Sequence, residues 1–156
     1  MNEAFFNEIR SGNTRAVESM LDESADLLNA RDQRGSTPLI LAAYYGQSQV
    51  VDLLLSKGAE IDATDGAGNT ALMGVCFKGF SDIAKVLVDK GANVNVRNAM
   101  GATCLIYAAT FNQLDIAKLL IEKGADDLVK DNRGNTALDH ARLQGATELV
   151  DLLEKA

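Results

Sequence analysis

Residues 35–63 read GSTPLILAAYYGQSQVVDLLLSKGAEIDA, and the same phrase returns at a fixed step along the chain. Gly35, Gly68, Gly101 and Gly134 are each 33 residues apart. Thr37, Thr70, Thr103 and Thr136 keep that step, as do Leu39, Leu72, Leu105 and Leu138, and Leu54, Leu87, Leu120 and Leu153. Gly58, Gly91 and Gly124, each followed by Ala, add a further column. So many columns in one register identify an internal repeat, which has to be read before any single element.

Within the quoted stretch each position has a local reason. Asp32-Gln33-Arg34-Gly35 is turn chemistry. Thr37 is a good helix N-cap, and Pro38 sits at the first helical position, where its missing N–H costs nothing. Leu39, Ala42 and Ala43 recur at helical spacing up to Gly46, a left-handed stop. Val50, Val51, Leu53, Leu54 and Leu55 make a longer, more apolar second helix that ends at Gly58. In the next-to-last unit Asn112 replaces the stop glycine of Gly46, Gly79 and Gly145. Asn is the residue that best tolerates the left-handed conformation after Gly, so the exception predicts the same backbone. A single helix pair cannot bury its apolar face, whereas stacked pairs can. The sequence therefore predicts an all-α solenoid of helix-turn-helix units with local contacts.

With residues 68–79 (GNTALMGVCFKG) and 134–153 (GNTALDHARLQGATELVDLL), the chain resembles the ankyrin repeat family over nearly its whole length. The resemblance implies one domain over 1–156, with an incomplete N-terminal capping unit at 1–31. Full units follow at 32–64, 65–97 and 98–130, with a C-terminal cap at 131–156. Units three and five are similar to compact, free-standing bacterial members. The family usually places His after Thr-Pro-Leu, where this chain has Ile40, Met73, Ile106 and Asp139. The resemblance implies hairpin-like turns projecting to one side, no chemistry, and a concave face of turn tips and first helices that binds a protein.

Composition sets limits on function. The chain has 156 residues, a net charge of −7, two cysteines and one histidine. That acidity makes a poor generic binder of nucleic acid or anionic membrane. There is no membrane-length apolar run, no secretory pattern, and too few cysteines for a disulfide framework, so a cytoplasmic location is expected. A catalytic His triad or zinc site would need His140, which has no Cys or His at ligand spacing, so neither metal, cofactor nor enzymatic activity is expected. Asp65-Gly66-Ala67-Gly68-Asn69 has too few acidic residues for a calcium loop, and the repeat accounts for it as a turn.

The six columns around the turn and the end of the first helix, in four units, hold six basic residues and no acidic one, Arg31, Arg34, Lys78, Arg97, Lys130 and Arg133, and Arg142 adds a seventh beside them in the last unit. They also hold four of the chain's eight aromatics: Tyr44, Tyr45, Phe77 and Phe111. Met100 adds a flexible contact at a turn tip. Exposed aromatics flanked by Arg are the composition of an interface centre. The expected function is thus non-catalytic binding of an acidic and apolar segment of another protein, as an adaptor or scaffold. A monomer is expected, with a homodimer through the same stripe as the other arrangement. The alternative is a thiol sensor using Cys104, whose helix N-terminus would lower its pKa, and Cys76. The staggered columns of these two cysteines predict that they stand too far apart for a disulfide. Gly74, inside a first helix, costs up to ~1 kcal/mol relative to Ala.

Overall fold

The computed structural model describes residues 2–156, so the start of the first unit at residue 1 lies outside the described residues. Among the described residues the chain forms five antiparallel helix pairs and no strand. The pairs are α1 (Asn2–Ser11) with α2 (Thr14–Glu23), α3 (Pro38–Tyr44) with α4 (Ser48–Ser56), and α5 (Ala71–Lys78) with α6 (Ser81–Asp89). They continue with α7 (Cys104–Thr110) and α8 (Leu114–Glu122), then α9 (Ala137–Leu143) and α10 (Thr147–Lys155). A short 3-10 turn, Ala25–Asn29, leads out of the first pair.

Each repeat builds its helices with the same devices. The Thr37, Thr70, Thr103 and Thr136 hydroxyls each accept from the backbone N–H three residues on, at 3.2 Å. That bond satisfies one of the N–H groups a helix start leaves free. In the last unit Asp139 completes a capping box, its Oδ2 accepting from Thr136 N–H at 2.9 Å. Asn112 has φ +54°, the left-handed conformation that its glycine counterparts adopt. Replacing it with β-branched Val is expected to lower stability by about 1–2 kcal/mol, read from the urea midpoint, with Asn112→Gly at least as stable as wild type.

The first helices pack in sequence, α1 on α3, α3 on α5, α5 on α7 and α7 on α9, and form one wall. Small residues make that wall thin. Ala42, Ala43, Ala71, Cys76, Ala108, Ala109, Ala137 and Ala141 are all buried there. The second helices stand behind it, where Val50, Leu54, Ile83, Leu87, Ile116, Leu120 and Leu149 fill the space between the layers. The core is thus a continuous strip along the stack, and each repeat depends on its neighbours.

The turns ahead of the first helices are joined along the other edge. Gly66 N–H donates to Arg34 O at 3.0 Å, Ala99 N–H to Ala67 O at 2.9 Å, and Asn132 N–H to Met100 O at 3.0 Å. One backbone bond per junction joins the tips, and the Asn98 and Asn132 side-chain amides add a second at the later junctions, donating to Asn69 Oδ1 at 2.8 Å and to Ala99 O at 2.9 Å.

Candidate functional site

The wall of first helices ends in a row of aromatic rings. Tyr44 stands 5.7 Å from Tyr45 and 6.3 Å from Phe77 between ring centroids. Phe77 meets Phe111 edge-on at 4.6 Å, and Phe111 lies 6.5 Å from Tyr107. The 33-residue step places Phe77 one layer above Tyr44, Phe111 comes from the neighbouring column of Tyr45 and Lys78, and the thin wall of small residues brings the rings into contact. These rings are not core: Tyr45, Phe77 and Phe111 are 46%, 43% and 41% exposed, and Met100 at its turn tip is 63% exposed. An array of this size left partly in water is a surface that gains by being covered.

The basic residues divide into groups that their columns did not distinguish. Arg31 Nη1 donates to Gly35 O and to Thr64 O, both at 2.6 Å. Arg97 does the same one period-pair later, through Nε to Gly101 O at 3.2 Å and Nη2 to Lys130 O at 2.8 Å. Both guanidinium groups therefore tie a turn to the following repeat. Lys78 lies over the Tyr44 ring at 4.9 Å, a cation–π contact, and Arg142 pairs with Glu154 at 3.1 Å. Arg34, Lys130 and Arg133 are exposed, and among the described residues their side chains make no hydrogen bond or ion pair. They are the cations on this face whose charge is uncommitted.

Tyr107 belongs to the ring array and is absent from the sequence-derived set. Its column holds Leu41, Gly74 and His140, so no periodic signal marks it. Its hydroxyl accepts from Asn98 Nδ2 at 2.8 Å, which fixes the ring beside Phe111.

His140 Nε2 donates to Asp131 Oδ2 at 2.7 Å, with both side chains mostly buried. Burial is the largest influence on Asp131 and works to raise its pKa. The hydrogen bond from His140, the N–H groups of Asn135 and Arg133, and the charge of His140 outweigh it and hold the carboxyl below its ordinary value. The N–H and hydroxyl of Thr136, with smaller contributions from Arg142 and His140, lower Asp139 as well, against a small opposing effect of desolvation. These groups cap and brace the last repeat. Among the described residues no three His, Cys, Asp or Glu side chains are grouped so as to hold a metal ion.

Cys76 and Cys104 come from staggered columns on the neighbouring helices α5 and α7, and both are fully buried and free. The hydrogen bond to Cys104, then burial, then the Cys104 charge push the Cys76 thiol well above its ordinary value. A thiol held protonated and away from solvent is a poor redox sensor.

A family model described as "Ankyrin repeats (3 copies)" matches residues 3–65 and 72–156, and one described as "Ankyrin repeats (many copies)" matches 49–88. The chain belongs to the ankyrin repeat family. Among curated proteins it is similar to the scaffold protein ILK of Homo sapiens, 40% identical over 57 residues, which cover 36% of this chain and 13% of that protein. It is also similar to the ankyrin repeat and SAM domain-containing protein 6 of Danio rerio, 33% identical over 57 residues, 36% of this chain and 8% of that one. The matched stretch is thus a small part of these relatives' length. Ankyrin repeats support a protein–protein interaction module and are typically non-catalytic. No helix among the described residues is long and apolar enough to cross a membrane.

Proposed function

We propose that this ankyrin stack is a non-catalytic binding module whose concave face holds an acidic and apolar segment of a partner protein. The observation that carries the reading is the contiguous, half-exposed row Tyr45, Tyr44, Phe77 and Phe111, with the uncommitted Arg34 lining the same cleft and the uncommitted Lys130 and Arg133 in the turn columns further along the stack. Rings with few rotatable bonds supply contact area at low entropic cost, and Met100 adapts at the edge. The three cations steer an acidic segment toward the rings and make association salt-dependent. Lys78 and Arg142 flank the same face, and Arg31 and Arg97 hold its turns in line. The name of one relative, a scaffold protein, is of a kind with this reading. We place the module in the cytoplasm as a monomer.

The test is affinity capture from the native host's lysate with two baits besides wild type, Tyr45→Ala/Phe111→Ala and Arg34→Glu/Arg133→Glu. Circular dichroism verifies that each is folded. The ring variant is expected to weaken retention of the wild-type partner at least ~10-fold, since truncating interface aromatics commonly costs that much. The charge variant is expected to slow capture and to remove its sensitivity to moderate salt. Equal retention by all three baits would move the site off the concave face.

A further inference from the structure

The first helices carry one side chain per repeat at the position of Leu41, Gly74, Tyr107 and His140, nine residues after the turn residue Asp32, Asp65, Asn98 and Asp131. In the last two repeats these positions are partners. His140 Nε2 donates to Asp131 Oδ2 at 2.7 Å, and Asn98 Nδ2 donates to the Tyr107 hydroxyl at 2.8 Å. In the third repeat the helix position is glycine. Asp65 Oδ1 accepts from the N–H groups of Ala67 and Asn69, each at 2.9 Å. Its Oδ2 makes no hydrogen bond or ion pair among the described residues, and its carboxylate is half-buried.

The missing side chain leaves a space. A cleft of about 460 Å³ lies there, bounded by Tyr44, Phe77 and Tyr107 on the apolar side and by Asp65 and Asn69 on the polar side, with Gly74 among its lining residues. A Cβ placed on Gly74 would meet only Tyr44, at 3.6 and 3.9 Å, which is ordinary contact. Backbone strain does not require this glycine either, because its φ is not positive. What Gly74 does is keep open the place that a ring occupies in the next two repeats.

We infer that the Gly74 cleft is a docking pocket for a tyrosine side chain of the partner, its phenol standing where the repeat lacks a ring and its hydroxyl donating to Asp65 Oδ2. A carboxylate oxygen only accepts, so the guest has to bring the donor. The three aromatic walls call for a flat apolar body. A Leu or Phe guest would cover the carboxylate without answering it, which is unfavourable. A Lys or Arg guest gains little extra, because Asp65 and Asp32 on the lining are balanced by Arg34 and Arg10. The pocket opens onto the ring array, so a tyrosine within an acidic, apolar segment would enter it as the anchor. Only the claim that the phenol arrives on a protein rests on the function proposed above.

The pocket can be tested on the chain alone, with p-cresol as the side-chain probe and toluene and 4-methylimidazole as controls, each followed by amide chemical shifts. p-Cresol is expected to shift Gly74, Asp65 and Asn69 with an affinity on the order of millimolar, as befits so small a ligand. Toluene is expected to bind at least ~5-fold more weakly, because it leaves Asp65 unanswered. Gly74→Tyr, which supplies the ring from within, is expected to fold and to abolish the p-cresol shifts. Absence of p-cresol shifts in wild type, equal affinity for toluene, or tighter binding of 4-methylimidazole would each overturn the assignment. If Gly74→Tyr does not fold, Gly74→Leu serves as the blocking variant, and retained p-cresol binding by a folded blocked chain would overturn it too. No partner is present in these titrations, so their failure leaves the capture result standing, and the reverse holds.

Discussion

Leu105→Ala is expected to destabilise the chain by about 2–5 kcal/mol, the range for truncating a fully buried leucine. Leu105 is 1% exposed, on α7, with repeats stacked on both sides. The cost has two parts, the transfer of the lost methyl groups and the cavity that a continuous helical wall cannot collapse to fill. Position within the stack sets the consequence. Stability in a repeat protein is roughly a sum of unit and junction terms. Damage at the fourth helix pair therefore weakens the junctions to α5 and to α9 together. The equivalent Leu138 lies in the last pair and is only half-buried, so Leu138→Ala is expected to cost less than half as much. Urea unfolding followed by circular dichroism measures both. A Leu105→Ala loss under about 1 kcal/mol would mean that the repeats yield independently and that the strip is not one cooperative core.

The same periodicity that identifies Leu105 made most of this architecture legible. A column of Thr can be read as a column of caps because one residue type serves one local task, and the hydroxyls do cap all four helices. Asn112 could be read from its glycine counterparts because backbone conformation repeats with the column. Tyr44 and Phe77 share a column one layer apart, and Phe111 comes from the next column, that of Tyr45, so all three could be placed at the ends of successive first helices.

Three features were not legible, each because its meaning lies between columns. Tyr107 joins the ring array from a column of unlike residues. Cys76 and Cys104 influence each other across two columns, which follows from the packing of α5 on α7. The basic column of Arg31, Arg97 and Lys130 looks like a charged rim, because charge can be counted in a sequence whereas the carbonyls of the following repeat cannot. The hairpin-like turns are a related case. Their tips are joined along the stack by one backbone bond per junction with side-chain bonds beside it, and among the described residues no strand forms.

That third case leads to the second large effect. Arg97→Ala is expected to lower stability by about 1–2 kcal/mol, although its side chain is exposed and touches no apolar core. Its planar fork reaches the carbonyls of Gly101 and Lys130, one in the turn that follows it and one at the head of the next turn. Arg97→Lys is expected to recover less than half of the loss, since one ammonium on a flexible stem does not reproduce the rigid fork. Thr64 occupies the same column between the two arginines and cannot bridge. Thr64→Arg is therefore expected to add a clamp between the third and fourth repeats and to raise the urea midpoint. Arg34→Ala, whose guanidinium is uncommitted, is expected to leave the midpoint unchanged. If instead Arg97→Ala leaves stability unchanged, its hydrogen bonds contribute nothing net. Arg97 would then join Arg34, Lys130 and Arg133 as a free cation of the binding face, and the salt dependence of partner capture would have to rest on four charges and not three.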